Sequence, residues 1–319
     1  MLFLKTILKV ILMKISEKDI IKIVSNNNNF REEVLVPIGE DASVLYPQQD
    51  SYLVSTTDTM VFRTHFNKDI TPYELGYIAA ASNISDLSAM GATPAFALIN
   101  LTIDKPTKEY IKEITRGYNK IFKSFPVSVI GGDTTYGPPS ITMTLIGYAK
   151  NSNFMLTSNA KAEDKIFISG AIGESFLAMK NNNYHLPAIR NELGRVLSDY
   201  ANSCTDMSDG FLESLNNITD KSNLGAHIQV ENIAINRKLK ELIDTEKVSW
   251  QDILGYGDDY ELFFTVEEKN SLILKSVCKN IGIEIYEVGN LTHNNEIKLS
   301  FKKKSLDINI KKRFEHFKL

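Results

Sequence analysis

The sequence predicts an α/β (α+β) protein of two domains, and three observations carry that reading. The chain has 319 residues, more than one compact core usually takes. Strand-like and helix-like stretches alternate in both halves, as layered helix-and-sheet folds require. The polar stretch Lys150–Asp164 lies between the halves, so the domains are expected at 15–150 and 151–319. Charged residues at 24% against 43% hydrophobic are ordinary for a soluble globular protein. The net charge of −3 gives no footprint for nucleic acid, and the lysines of 301–313 read as a solvated face. Cys204 and Cys278 form no CxxC pair, which suits a reducing, cytoplasmic location.

The first fourteen residues, MLFLKTILKVILMK, are apolar with lysines interspersed, and a signal peptide, an amphipathic anchor or an upstream start codon would each read this way. No small-residue cleavage site follows and the run is too short to span a bilayer, so Met13 is favoured as the ordinary start.

Ser16 is placed to cap an amphipathic helix running through Val24, with Asp19 three residues on. Val36-Pro37-Ile38 reads as a strand entering the turn Gly39-Glu40-Asp41, and Tyr52–Thr59 as a second strand ending at Asp58. Ala79-Ala80-Ala81-Ser82 and the following Asn83–Gly91 predict a closely packed helix that carries one carboxylate, Asp86, and stops at Gly91. Next come a strand at Ala95–Ile103, a helix at Thr107–Lys123, a strand at Val127–Ile130 running into Gly131-Gly132-Asp133, and a strand at Ile141–Ala149. In the second half, Lys165–Ser169 predicts a strand, Gly170–Ser175 a turn opening a helix, and Leu186–Ala201 a helix starting near Pro187. Cys204–Gly210 sets Asp206 and Asp209 between a strand and a helix, and Gly255–Glu261 forms a glycine turn feeding the strand Leu262–Val266.

Six acidic spots therefore fall at expected element ends: Asp41, Asp58, Asp86, Asp133, the Asp206/Asp209 pair and Asp258/Asp259. Clustered carboxylates raise one another's pKa unless a cation neutralises them, and hard cations such as Mg²⁺ take oxygen ligands and bridge to phosphate. Thr56, Thr57, Thr134 and Thr135 add neutral oxygens, and Gly131-Gly132 would let backbone N–H groups approach a phosphate. The chemistry this pattern suits is phosphoryl transfer, which needs positioning and charge neutralisation more than a covalent nucleophile. The chain has no GxxxxGK[ST] loop, no GxGxxG opening a helix, no HExxH and no GxSxG, and its five histidines are scattered.

Six motifs in order resemble the thiamine-monophosphate kinase family of the PurM-like (aminoimidazole-ribonucleotide synthetase-like) superfamily: Gly39–Asp41, Ser55–Thr59 with His65-Phe66, Asn83–Ala92, Gly131–Thr135, Asp206–Gly210 and Gly257–Leu262. The resemblance covers about residues 15–319. It implies a PurM-like two-domain fold, a homodimer paired through the N-terminal domains, and ATP-dependent conversion of thiamine monophosphate to thiamine diphosphate. It also implies Mg²⁺ ligands at Asp41, Thr56, Thr57, Asp58, Asp86, Asp133, Asp206 and Asp209. ATP contacts are implied at Gly132, Asp133 and Ser208, and thiamine-phosphate contacts at His65, Asp258 and Phe317. The chain departs from the family in having Glu40 for Asp, Thr56 for Ser, Tyr136 for Arg, Asp258 for Glu, and no Arg in Leu156–Lys161. Its rivals are a sister activity of the superfamily, which would want a reactive Cys near the N-terminus or other motifs, and a non-catalytic nucleotide-binding dimer.

Overall fold

The structure is a computed structural model and describes residues 16–26, 28–38, 41–150 and 154–309. The expectations for residues 1–14, Gly39, Glu40 and Phe317 lie outside the described residues. Contacts group the chain into two units. One holds the described residues up to Ile84 together with Pro94–Tyr148, and the other holds Ser85–Thr93 and the chain from Ala149 onward.

The first unit opens with α1 (Glu17–Asn26), where Asp19 Oδ2 accepts from Ser16 N and Oγ, and Ser16 Oγ accepts from Asp19 N. These reciprocal bonds satisfy donors that a helix start leaves open. Strands β1 (Val34–Val36) and β2 (Val44–Leu45) form a small antiparallel pair. The main sheet has the order β3-β6-β4-β5, from β3 (Tyr52–Val61), β4 (Thr93–Ile103), β5 (Ser128–Tyr136) and β6 (Ser140–Ala149). Helix α2 (Pro72–Ala89) starts at a Thr71/Glu74 capping box with Pro72 in its first turn. It ends as the sequence predicts. The N–H of Ala92 bonds to Leu87 O and that of Gly91 to Ser88 O, with Gly91 at φ +67°. Helix α3 (Lys108–Phe122), capped by Thr107, joins the parallel strands β4 and β5.

Helices α2 and α3 cross at glycines. A Cβ on Gly76 would lie 2.1 Å from Ile114 O, and one on Gly117 would lie 2.1 Å from Tyr73 O. Alanines follow in α2, with Ala79, Ala80 and Ala81 at most 2% exposed, so small side chains set the approach of this helix.

The second unit is built on a seven-stranded sheet of order β13-β12-β9-β11-β7-β10-β8. Its strands are β7 (Lys165–Ser169), β8 (Ala201–Asp206), β9 (Gly225–Gln229), β10 (Leu262–Val266), β11 (Ile285–Thr292), β12 (Ile297–Phe301) and β13 (Lys304–Ser305). Its helices are α4 (Glu174–Lys180), α5 (Asn191–Leu197), α6 (Phe211–Ser222), α7 (Arg237–Asp244), α8 (Trp250–Leu254) and α9 (Glu268–Asn280). The central strands are covered on both faces, which explains their near-continuous apolar sequences. Ile166, Ile168 and Phe263 join one core with Phe211 and Leu215, while Phe167, Leu262 and Phe264 join another with Leu193, Leu197 and Leu274.

Three elements differ from expectation. The helix expected over Leu186–Ala201 is reduced to Asn191–Leu197, since the chain turns into it only at Arg190 and Ala201 already belongs to β8. Strand β5 does not stop at Ile130 but runs through the glycines to Tyr136. Strand β3 continues to Val61, so Asp58 and Asp133 lie within strands rather than at their ends.

The glycine crossing yields a first prediction. Gly117→Ala sets a methyl against backbone atoms that have no rotamer to yield, so it should cost about 1–3 kcal/mol, as overpacking does. Urea unfolding of the variant would show a midpoint lowered at unchanged slope; an unchanged midpoint would mean that the crossing is loose.

Candidate active site

In the first unit, strand alternation decides where the candidate ligands point. Thr57 Oγ1 meets Thr144 Oγ1 at 2.9 Å and Thr59 Oγ1 meets Thr142 Oγ1 at 2.8 Å. Thr135 Oγ1 meets Thr102 Oγ1 at 2.9 Å. These hydroxyls share one face of the sheet, away from the buried Ile141, Met143 and Leu145. Asp133, two residues before Thr135, lies on the same face, whereas Thr56 and Asp58 lie on the opposite face from Thr57.

Asp58 and Asp133 also stand on the two edge strands, three strand spacings or about 14 Å apart. Gly132, at φ +145°, has no room for a side chain, since a Cβ would sit 1.8 Å from Ile99 O. Its glycine is thus required by the neighbouring strand. Exposed Asp41 lies close to this end of β5, because Ser43 Oγ donates to Ile130 O. His65 is exposed on a tight turn, where its Nδ1 accepts from Val61 N at 3.0 Å and Arg63 holds φ +69°.

The second unit gathers its acidic motifs. Asp86 is the only residue from Ile78 to Ala89 that is not fully buried. One position earlier, Ser85 Oγ donates to Tyr260 O at 3.5 Å. The segments Asp206–Gly210 and Gly257–Leu262 are laced by backbone bonds: Asp258 N to Ser208 O at 2.7 Å, Tyr260 N to Met207 O at 3.1 Å and Met207 N to Glu261 O at 2.8 Å. A Cβ on Gly257 would lie 2.1 Å from Ser208 O, so this glycine serves the close approach.

Along the turn the side chains take different directions. Asp258 (φ +66°) and Tyr260 (φ +53°) sit in the left-handed region, which is costly for both residues. Asp259 turns inward, where its carboxylate accepts from Gly173 N at 2.6 Å and from Ser175 N and Oγ at 3.1 and 2.9 Å. Burial still pushes its pKa up against those bonds. Glu261 turns inward to a two-pronged pair with Arg190, both bonds at 2.6 Å.

Asp258 remains open to solvent. Desolvation, then the neighbouring charges of Asp259 and Asp209, push its pKa up to about 6. Tyr256, with its pKa pushed up to about 12 by burial and by the charges of Asp258 and Asp259, stands beside it and packs edge-on against Phe176 at 5.6 Å. Burial lowers the pKa of His185 against the opposing charges of Asp259 and Glu174.

The side chains that sequence reasoning missed are Arg190, Asn191, Ser169, Ser175 and His185, together with the inward roles of Asp259 and Glu261. Only the two acids stood in a recognised motif. Among the described residues no group of three or more His, Cys, Asp and Glu side chains forms a metal cage by itself. The donors present are hard oxygens, carboxylates and hydroxyls without a soft ligand among them, so the residues suit Mg²⁺ that keeps waters and phosphate oxygens among its ligands.

Comparison with known proteins then places the chain. Residues 39–149 match the N-terminal domain, and residues 160–302 the C-terminal domain, of the AIR synthase related proteins. The chain is 34% identical to the thiamine-monophosphate kinase of Buchnera aphidicola subsp. Acyrthosiphon pisum, over 92% of this chain and 99% of that protein. It is 32% identical to the thiamine-monophosphate kinase of Escherichia coli K12, over 82% of this chain and 86% of that protein. The crystal structure of thiamine-monophosphate kinase from Stenotrophomonas maltophilia K279a superposes with a TM-score of 0.80 at 26% identity, over 92% of this chain and 98% of that one. With its PurM-like halves matched in order and its relatives aligned almost end to end, the chain belongs to the thiamine-monophosphate kinase family.

Proposed function

We propose that the chain carries out the reaction for which its family is named, transferring the γ-phosphoryl group of ATP onto thiamine monophosphate to give thiamine diphosphate. The observation that carries this reading at the site is the lacing of Asp206–Gly210 to Gly257–Leu262, with Ser85 Oγ donating to Tyr260 O, which sets the segments bearing Asp86, Asp206, Asp209 and Asp258 side by side in one unit. A phosphate oxygen of thiamine monophosphate attacks the γ-phosphorus in line. The new P–O bond forms as the bond to the β–γ bridging oxygen breaks, and ADP leaves with that electron pair. The attacking phosphate is already deprotonated and needs no general base.

Asp41, Thr56, Thr57, Asp58, Asp86, Asp133, Asp206 and Asp209 are the candidates to hold Mg²⁺. When bound, it would supply the charge neutralisation that two anionic reactants require. Gly132, Asp133 and Ser208 are assigned to ATP. His65, Asp258 and Phe317 are assigned to thiamine monophosphate, where the carboxylate of Asp258 beside Tyr256 suits a cationic thiazolium ring.

The protein works as a cytoplasmic homodimer in this reading. Edge strand β3 leaves Tyr52 and Leu53 exposed at 49% and 59%, and the hydroxyl face beside it is open. A second copy paired there would cover an edge that a monomer leaves open. Cys204 and Cys278 are buried free thiols, as a reducing compartment allows. Among the described residues no helix is long and apolar enough to cross a membrane.

Three measurements test this reading. ATP hydrolysis or transfer should require both thiamine monophosphate and Mg²⁺, and Asp86→Asn should lose most turnover while its melting temperature stays near that of the parent. Wild-type turnover in that variant would remove Asp86 from the ligand set. Sedimentation of the purified chain should give a dimer, and a Leu53→Lys variant should shift it toward monomer; a monomeric parent with full activity would overturn the dimer.

The third concerns pH. Since folding raises the Asp258 pKa from 3.8 to about 6, the folded form holds the proton more tightly. Its contribution to stability is present below pH 3.8 and is lost as pH rises through about 6. Without ligands, Asp258→Asn should therefore melt higher than the parent at pH 8, and this gap should close at pH 4. A gap independent of pH would locate the strain elsewhere.

A further inference from the structure

We propose that Arg190 and Asn191, neighbours in sequence, are positioning residues that hold Asp86 and Asp258 in a fixed relation within the second unit. The proposal rests on the reading of those two carboxylates as cation and substrate ligands. Neither residue touches a reactant; each acts through a segment that carries one of the acids.

Arg190 controls the Asp258 side. Its Nε and Nη2 each donate at 2.6 Å to the two oxygens of Glu261, which is 5% exposed. Ser169 Oγ donates to the same carboxylate at 2.5 Å while accepting from Leu262 N at 2.8 Å. Gly170, at φ +60°, leaves the space for this pair, since a Cβ there would lie 2.2 Å from Glu261 Oε1 and 2.5 Å from Arg190 Nη2. The rear of the Gly257–Leu262 turn is thereby fixed, three residues from Asp258. Only a planar fork makes both bonds at once; a lysine keeps the charge and loses the geometry.

Asn191 controls the Asp86 side. It is wholly buried, and its Nδ2 donates to Ala92 O at 2.7 Å and to Ser88 Oγ at 3.3 Å. Those acceptors bracket the turn that ends α2, two residues beyond Asp86. Three positions along α5, Gly194 lets the helix lie against the same turn, because a Cβ there would be 2.1 Å from Ser88 O. Asn191 Oδ1 has no partner among the described residues. An aliphatic side chain would avoid that unpaired acceptor, so the amide is explained by what its NH₂ group holds. One dipeptide thus ties both acid-bearing segments to the start of α5.

Steady-state kinetics of the full chain with ATP, thiamine monophosphate and Mg²⁺ test this, alongside thermal melts. Arg190→Lys should raise KM for thiamine monophosphate about tenfold, as misplacement of a binding group does, with KM for ATP nearly unchanged. Asn191→Ala should instead raise the Mg²⁺ concentration for half-maximal activity about fivefold and spare KM for thiamine monophosphate. In an Asp258→Asn background, Arg190→Lys should add nothing to KM, because a residue acting through Asp258 has nothing left to position. Equal effects in both backgrounds, or no change in KM, would overturn the proposal. If Arg190→Lys does not fold, Glu261→Gln gives the same comparison. Full activity in both Asp86→Asn and Asp258→Asn would sink the ligand reading and the proposal together. Loss there, with unaltered Arg190→Lys and Asn191→Ala kinetics, would sink the positioning role alone.

Discussion

The second unit depends on how it accommodates the buried carboxylate of Glu261. An ionised acid removed from water costs several kcal/mol unless a partner and further hydrogen bonds compensate it. Burial pushes the Glu261 pKa up, and the Arg190 guanidinium with the Ser169 hydroxyl opposes that. Three features follow from this one group: a half-buried arginine, a glycine at a positive φ, and a serine hydroxyl spent between the carboxylate and the N–H of Leu262 that opens β10. Because β10 lies between β7 and β8, the same anchor sets where the acidic turn leaves the sheet.

The neighbouring Asp258 and Asp259 show how one turn treats two identical side chains in opposite ways. Asp259 receives three donors from the start of α4 and becomes structural. Asp258 receives almost none, its nearest being Tyr260 OH at 3.5 Å, and keeps the repulsion of Asp209 and Asp259. A carboxylate left in that condition attracts a cation, whether a metal ion or the positive ring of a substrate. The left-handed backbone at Asp258 and Tyr260 is the local cost of pointing adjacent side chains apart.

The first unit is organised by the two-residue period of its strands. Thr57 and Thr56 are neighbours in sequence and occupy opposite faces, as do Asp133 and Thr134. A run of oxygen-bearing side chains along one strand is therefore split between the two faces of the sheet. The hydroxyl pairs that do form, between β3 and β6 and between β4 and β5, bind the sheet's open face to itself.

The sequence by itself determined the layered class, the close-packed α2 with its stop at Gly91, the Ser16 cap and the strand Leu262–Val266. All of these follow from local chemistry: side-chain size, capping geometry and apolar runs. It also showed the acidic motifs at Asp133, Asp209 and Asp258, because an Asp beside a Gly is visible at short range. Tertiary structure alone decided which of those acids face solvent. Asp259 and Glu261 share one acidic motif with Asp258, yet they are consumed by Ser175 and Arg190, which stand more than seventy residues away. It likewise shortened the helix after Pro187 and carried β5 through Gly131 and Gly132, where the Ile99 backbone leaves no space for a side chain. The division has one cause. Capping and packing preference act within a few residues, whereas a buried charge is satisfied by whatever the fold brings to it.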